Sequence, residues 1–202
     1  MVFCAPTVSI CSGAMAERIK LWPFFLFAAI LAGVIYPIVM GWQWGGGWLA
    51  ELGFSDFAGS TLVHSTGGAA ALAGIMLLGA RYGRFDSKGE AKAIKPFAAS
   101  SIPLATLGVF ILWMGWFGFN GGSQLAWGGD DAVGASAVVV VTNLAAAAGA
   151  LGALITTWIW YGKPNLAQTL NGALAGLVSI TAGCGNMTEG GAVLAGLIGG
   201  VI

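Results

Sequence analysis

The sequence predicts an all-α integral membrane protein, a polytopic helical bundle. Three observations predict it: a composition that soluble domains do not carry, apolar runs of bilayer-spanning length, and basic residues confined to alternate connections. Of the 202 residues, 57% are hydrophobic and 8% charged, where soluble domains carry about a quarter charged residues. Mean hydropathy is +0.86, so the bilayer is the solvent. Formal net charge is zero, which leaves neither the basic footprint of a nucleic-acid binder nor an acidic tail. Function has to lie in the few polar groups.

Apolar stretches of about 20 residues, enough to cross a bilayer, run over 21–42, 58–80, 99–123, 133–160 and 166–183. Partial spans flank these five at 1–16 and 191–202, so 1–202 reads as one transmembrane domain with neither end natural. The first stretch, MVFCAPTVSICSGAMA, is short and ends in small residues like a secretion signal, but it lacks a basic start, and Ile10 before Cys11 does not suit a lipoprotein cleavage box. The tail of a helix is the stronger reading. Cys4, Cys11 and Cys184 are odd in number, widely spaced and set among apolar residues, which suggests neither a disulfide framework nor a metal site.

Orientation follows from the basic residues, which are retained on the cytoplasmic side. They fall at Arg18 and Lys20, then at Arg81, Arg84, Lys88, Lys92 and Lys95, then at Lys163, in every second connection. The opposite loops hold Glu51, Asp56, Asp130, Asp131 and Glu189, an acidic outer face that would concentrate small cations; ordinary solvated loop acids explain Glu51 and Glu189 equally well. Glycine recurs at spacing four in Gly118/Gly122, Gly172/Gly176 and Gly196/Gly200, which predicts close helix packing.

His64 is the one histidine and lies inside the second full span, where an ionisable side chain is costly unless it meets a partner or a cavity. An imidazole there can donate and accept hydrogen bonds and exchange a proton near neutral pH; a histidine bonded to a backbone carbonyl for packing fits the residue alone equally well. Ser60, His64, Gly67, Gly68 and Ala71 follow at helical spacings and predict a stripe of small residues facing a neighbouring helix or a narrow lumen. Asp56 precedes the same helix, and its default reading is a cap on the first turn, with cation attraction as the alternative. Trp116, Phe119 and Ser123 share a face near the outer end of the third span. Trp44 lies on the same outer side, where an indole can hold a cation with about 0.5 to 2 kcal/mol; Trp42 and Trp48 read as interfacial anchors. There is no HExxH, GxSxG or Walker loop, so the sequence suggests no enzyme and no cofactor.

The strings SGAMAERIK, WGGGWL, DFAGSTLVHS, PLATLG, GWFGFNGGS, NLAAAAG, GKP and NGALAGLVSITAGC, in that order, resemble an ammonium transporter of the Amt family over nearly the whole chain. The resemblance implies part of an eleven-helix fold of two inverted halves, assembled as a homotrimer with one pore per subunit. This chain is similar to the middle, from the late third helix to the early ninth. Trp44, Ser123 and Phe3 match the family's outer ammonium-recruitment site, Phe119 a pore-gating phenylalanine stacked with the one at Phe3, His64 the first of two pore histidines, and Asp56 the family's essential aspartate. Trp44 with Ser123 favours the Amt branch over the Rh proteins. Ala99-Ser100-Ser101-Ile102-Pro103 departs from the usual His-Asn-Leu-Pro, Pro6 stands in the third-helix segment, and the second pore histidine has no counterpart here.

The resemblance implies a multi-pass protein of the plasma or inner membrane that takes up ammonium, deprotonates it and conducts ammonia past Phe119, with a proton relay at His64. It implies no cofactor, ammonium and the lipid bilayer as the partners, and a PII-type regulator in the complete protein. The alternatives are passive ammonia conduction, an ammonium sensor or receptor, and a truncated inactive fragment.

Overall fold

A computed structural model of the chain describes residues 2–85, 97 and 99–202. Lys88, Lys92 and Lys95, which carry part of the orientation argument, lie outside the described residues. Among those described, all regular structure is helical, as expected: α1 (Cys4–Met15), α2 (Leu21–Ile30), a π turn (Leu31–Ile35), α3 (Tyr36–Gln43), α4 (Trp48–Glu51), a second π turn (Ser60–Ser65), α5 (Thr66–Leu78), α6 (Ile102–Gly121) with a 3-10 turn (Gly122–Gln124), α7 (Asp130–Tyr161), α8 (Leu166–Thr181) and α9 (Glu189–Val201).

Four of these stretches are long and apolar enough to cross a membrane among the described residues: Leu21–Glu51, Ser60–Leu78, Ile102–Gln124 and Asp130–Tyr161. Over the fifth expected span, 166–183, the α-helix is shorter than the apolar run. Its helix α8 has 16 residues, about 24 Å at the α-helical rise. Asn165 fixes the start by accepting a hydrogen bond from the Gln168 N–H at 3.1 Å. The end comes at Thr181 because the Gly183 N–H turns back to the Ile180 carbonyl and the Met187 N–H to Gly183. Hydropathy continues through that turn, but the α-helical hydrogen bonding does not.

The chain divides into two compact units, one of residues 1–55 and 61–99, the other of 56–60 and 100–202. In the first, α1 packs on α5 through glycine. A Cβ on Gly67 would lie 2.8 Å from the Thr7 carbonyl oxygen, and one on Gly74 would meet the Met15 side chain. The Cys11 thiol donates to the Gly67 carbonyl at 3.2 Å. Cys11, Met15 and Leu31 form a buried cluster flanked by Phe24 and Phe27 of α2. Where α1 and α5 end, the Arg18 guanidinium donates to the Ala14 and Gly79 carbonyls, satisfying acceptors that a helix end leaves open.

In the second unit α7, α8 and α9 meet on one line of small residues. Ala145 and Gly149 of α7 face Gly172 and Gly176 of α8 and Gly196 and Gly200 of α9. Two of the three predicted glycine pairs therefore pack as expected. Among the described residues, a Cβ on Gly118 or Gly122 would meet nothing within 4 Å. Helix α6 joins through Trp116, which packs with Ala146 and Leu177.

Candidate functional site

Segment 56–60 is built from backbone hydrogen bonds. The Phe57 and Ala58 N–H groups donate to the Ala182 and Thr181 carbonyls at 2.9 and 3.0 Å. The Ser60 hydroxyl donates to the Val178 carbonyl and accepts from the Ala182 N–H, both at 2.6 Å. The segment thus occupies carbonyls that the end of α8 would otherwise leave without partners. Asp56 is 1% exposed, and its Oδ1 accepts from the Gly59 and Ser60 N–H groups at 2.7 and 3.1 Å. Its carboxylate is held at the start of the Ser60–Ser65 π turn.

His64 lies in that π turn, half-buried, directly after the fully buried Leu62 and Val63. A π turn contains one residue more than the α-helical count, so residues before and after it do not keep 3.6-residue spacing. Of the expected stripe, Gly67 and Ala71 pack on the α1 side, as small residues facing a neighbouring helix should, while Ser60 is hydrogen-bonded to the end of α8 and Gly68 is exposed with open space where a Cβ would be.

Trp44 closes α3, its N–H donating to the Met40 carbonyl at 2.9 Å. The next three residues have to be glycine: Cβ atoms on Gly45 and Gly47 would lie 2.8 and 2.7 Å from the Gly41 carbonyl oxygen, and Gly46 has φ of +73°. The half-buried Trp44 ring stands 5.8 Å from that of Phe3, tilted by 44°. Trp42 and Trp48 pair with each other at 5.8 Å and are both exposed. Phe3 and Trp44 fall in the first unit and Ser123 in the second.

On α6, the Trp116 and Phe119 rings are 5.6 Å apart. The Ser123 hydroxyl donates to the Phe119 carbonyl at 3.0 Å, which leaves its oxygen lone pairs as acceptors. Trp116 is buried and its indole N–H donates to the Thr181 hydroxyl at 2.9 Å, which in turn donates to the Leu177 carbonyl at 2.6 Å. One turn above, Asn120 donates to the Thr142 hydroxyl at 3.0 Å. Thr181, Asn120 and Thr142 were missed from sequence; an amide and two hydroxyls inside apolar helices are the signal that could have found them. Trp116→Phe is expected to remove the Trp116–Thr181 bond at a cost of about 1 kcal/mol, read as a lower detergent-unfolding midpoint.

The model of the Ammonium Transporter Family matches residues 1–202. The chain belongs to the ammonium transporter family. Ammonium transporter Amt2 of Archaeoglobus fulgidus is 45% identical over 212 residues, an alignment that takes in 100% of this chain and 44% of that protein. Among solved structures, one named Sensor Amt Protein superimposes with a TM-score of 0.91 at 40% identity, covering 99% of this chain and 49% of the other. Mep2 of Saccharomyces cerevisiae gives 0.86 at 32% identity, covering 98% and 42%. The chain spans about half the length of the curated ammonium transporters it matches.

Proposed function

We propose that the chain forms part of a path by which ammonium crosses the membrane, a reading carried by the family match over residues 1–202. Trp44, with Phe3 beside it, supplies aromatic faces for a cation, and the Ser123 oxygen supplies an acceptor for an ammonium N–H. A full charge in mid-membrane is prohibitive, so the ion gives up its proton. Ammonia then passes Phe119 and Trp116, while the proton travels by way of His64. Potassium has no proton to give up and is excluded. Asp56 serves as a structural cap, supported by its burial and its two backbone donors.

In this reading the protein is a homotrimer in the plasma or inner membrane, with Arg18, Lys20, Arg81, Arg84 and Lys163 on the cytoplasmic side and a PII-type regulator binding there. A second reading, ammonium binding coupled to signalling, is favoured by the likeness to the structure named Sensor Amt Protein.

Proteoliposomes carrying the protein are expected to give an ammonium-selective current, and His64→Ala to lower it at least tenfold. Unchanged current and selectivity in the variant would remove His64 from the path. Ammonia flux without current would mean passive conduction, and ammonium binding without flux would favour the receptor.

A further inference from the structure

Thr181 is the last residue of α8, fully buried, and three parts of the second unit meet on it. Its carbonyl accepts the Ala58 N–H at 3.0 Å, which ties down the segment that carries Asp56. Its hydroxyl accepts the Trp116 indole N–H at 2.9 Å and donates to the Leu177 carbonyl at 2.6 Å. A threonine hydroxyl has one proton and two lone pairs. With the proton engaged by Leu177, the oxygen faces the indole as an acceptor, so the rotamer of Thr181 and the direction of the Trp116 N–H fix each other.

The constraint reaches Phe119. Its ring stands 5.6 Å from the Trp116 ring, within the range of favourable aromatic pairs, and it packs against the cluster that Trp116 forms with Ala146 and Leu177. A phenylalanine ring has no polar atom to set its angle, so what it packs against sets it.

We propose that Thr181 is a positioning residue of the ammonium path: its hydroxyl holds the Trp116 indole, and the indole holds the Phe119 ring, at the angle that lets ammonia pass. The inference rests on the path proposed above and adds to it a residue that acts only through its neighbours. Without the hydroxyl, the indole N–H loses this acceptor where Trp116 is only 9% exposed. Leaving a buried donor unpaired is costly, so the indole turns toward another acceptor and takes the support of Phe119 with it. Either ring, once turned, narrows the passage.

The test compares ammonium-dependent currents of the 202-residue chain and its variants in proteoliposomes, each read as a maximal current and a half-saturating ammonium concentration. Thr181→Val, of nearly the same shape without the hydroxyl, is expected to lower the maximal current at least fivefold. The half-saturating concentration is expected to stay within twofold, since Trp44 and Ser123 are unchanged. Thr181→Ser keeps the hydroxyl and is expected to stay within twofold of the wild type in both. Thr157→Val removes another buried hydroxyl, one bonded to the Ala153 and Leu154 carbonyls, and is expected to leave both values in place. Added to Trp116→Phe, which has no indole donor, Thr181→Val is expected to cost less than twofold further, a comparison that holds even should the single variant not fold. A further loss of twofold or more in that background, or an equal loss in Thr157→Val, overturns the positioning role. No current from the unaltered chain overturns the path itself and Thr181's part with it, whereas a current that Thr181→Val leaves undiminished overturns Thr181's part alone.

Discussion

Gly196→Ala is expected to destabilise the second unit by about 3 kcal/mol, at the upper end for overpacked interiors. The added methyl would sit 2.7 Å from the Ala145 Cα and closer still to its carbonyl oxygen. These are backbone atoms of α7, so no rotamer change relieves the clash and α7 and α9 must separate. In a bilayer that separation is costly, since lipid provides no hydrophobic drive for helix association and close packing holds the bundle together. The midpoint of unfolding by sodium dodecyl sulfate from mild micelles, followed by tryptophan fluorescence, measures the loss. Gly118→Ala is the companion experiment. It has the same spacing-four context but open space around it, and it should be neutral or stabilising by up to about 1 kcal/mol through helix propensity. Equal losses in both variants would show that glycine acts here through backbone flexibility and not through contact.

The second large effect is expected at Asp56. Asp56→Ala strips the Gly59 and Ser60 N–H groups of a charged acceptor in an interior that is 1% exposed at that residue. Two charge-assisted bonds at about 1.5 to 3 kcal/mol each, less some rescue by water, give an expected loss of about 3 kcal/mol. Asp56→Asn keeps an acceptor oxygen and should cost about 1 kcal/mol. The same unfolding titration separates the two variants. A loss below 1 kcal/mol for Asp56→Ala would mean that water takes over both donors and that the carboxylate matters for something other than its local bonds.

The membrane fold was legible because the bilayer makes a blunt demand: about 20 apolar residues per crossing, with polar groups between. Long runs such as the one at α7 satisfied it openly. The end of α8 was hidden, because Ala182, Gly183 and Cys184 are as apolar as helix residues while their backbone is already turning. Spacing-four glycines were read correctly as packing residues at Gly172/Gly176 and Gly196/Gly200, while Gly118/Gly122 meet no partner among the described residues, since spacing states what a face could do and says nothing about whether a partner is opposite. The candidate residues could be named only as individuals: a histidine in an apolar span, an aspartate before a helix, aromatics and a serine on one face. Their bonding was out of reach. Ser60 is tied to Val178 and Ala182 across 118 and 122 positions, and no local pattern encodes a pairing at that distance. The small-residue stripe held at Gly67 and Ala71, which meet a neighbouring helix, and not at Gly68, because it assumed α-helical winding through a segment that begins wound otherwise.

That winding bears on how these helices tolerate change in length. A π turn is an α-helix holding one surplus residue without disturbing the phase of what flanks it. Removing Gly33, which has open space about it inside the Leu31–Ile35 turn, would let α2 and α3 fuse into one continuous α-helix with their faces still aligned. The same deletion in the middle of α7 would rotate every later side chain by about 100° and unseat Ala145 or Gly149 from their neighbours. Loss of a residue is thus absorbed at the Leu31–Ile35 turn and ruinous on the glycine line.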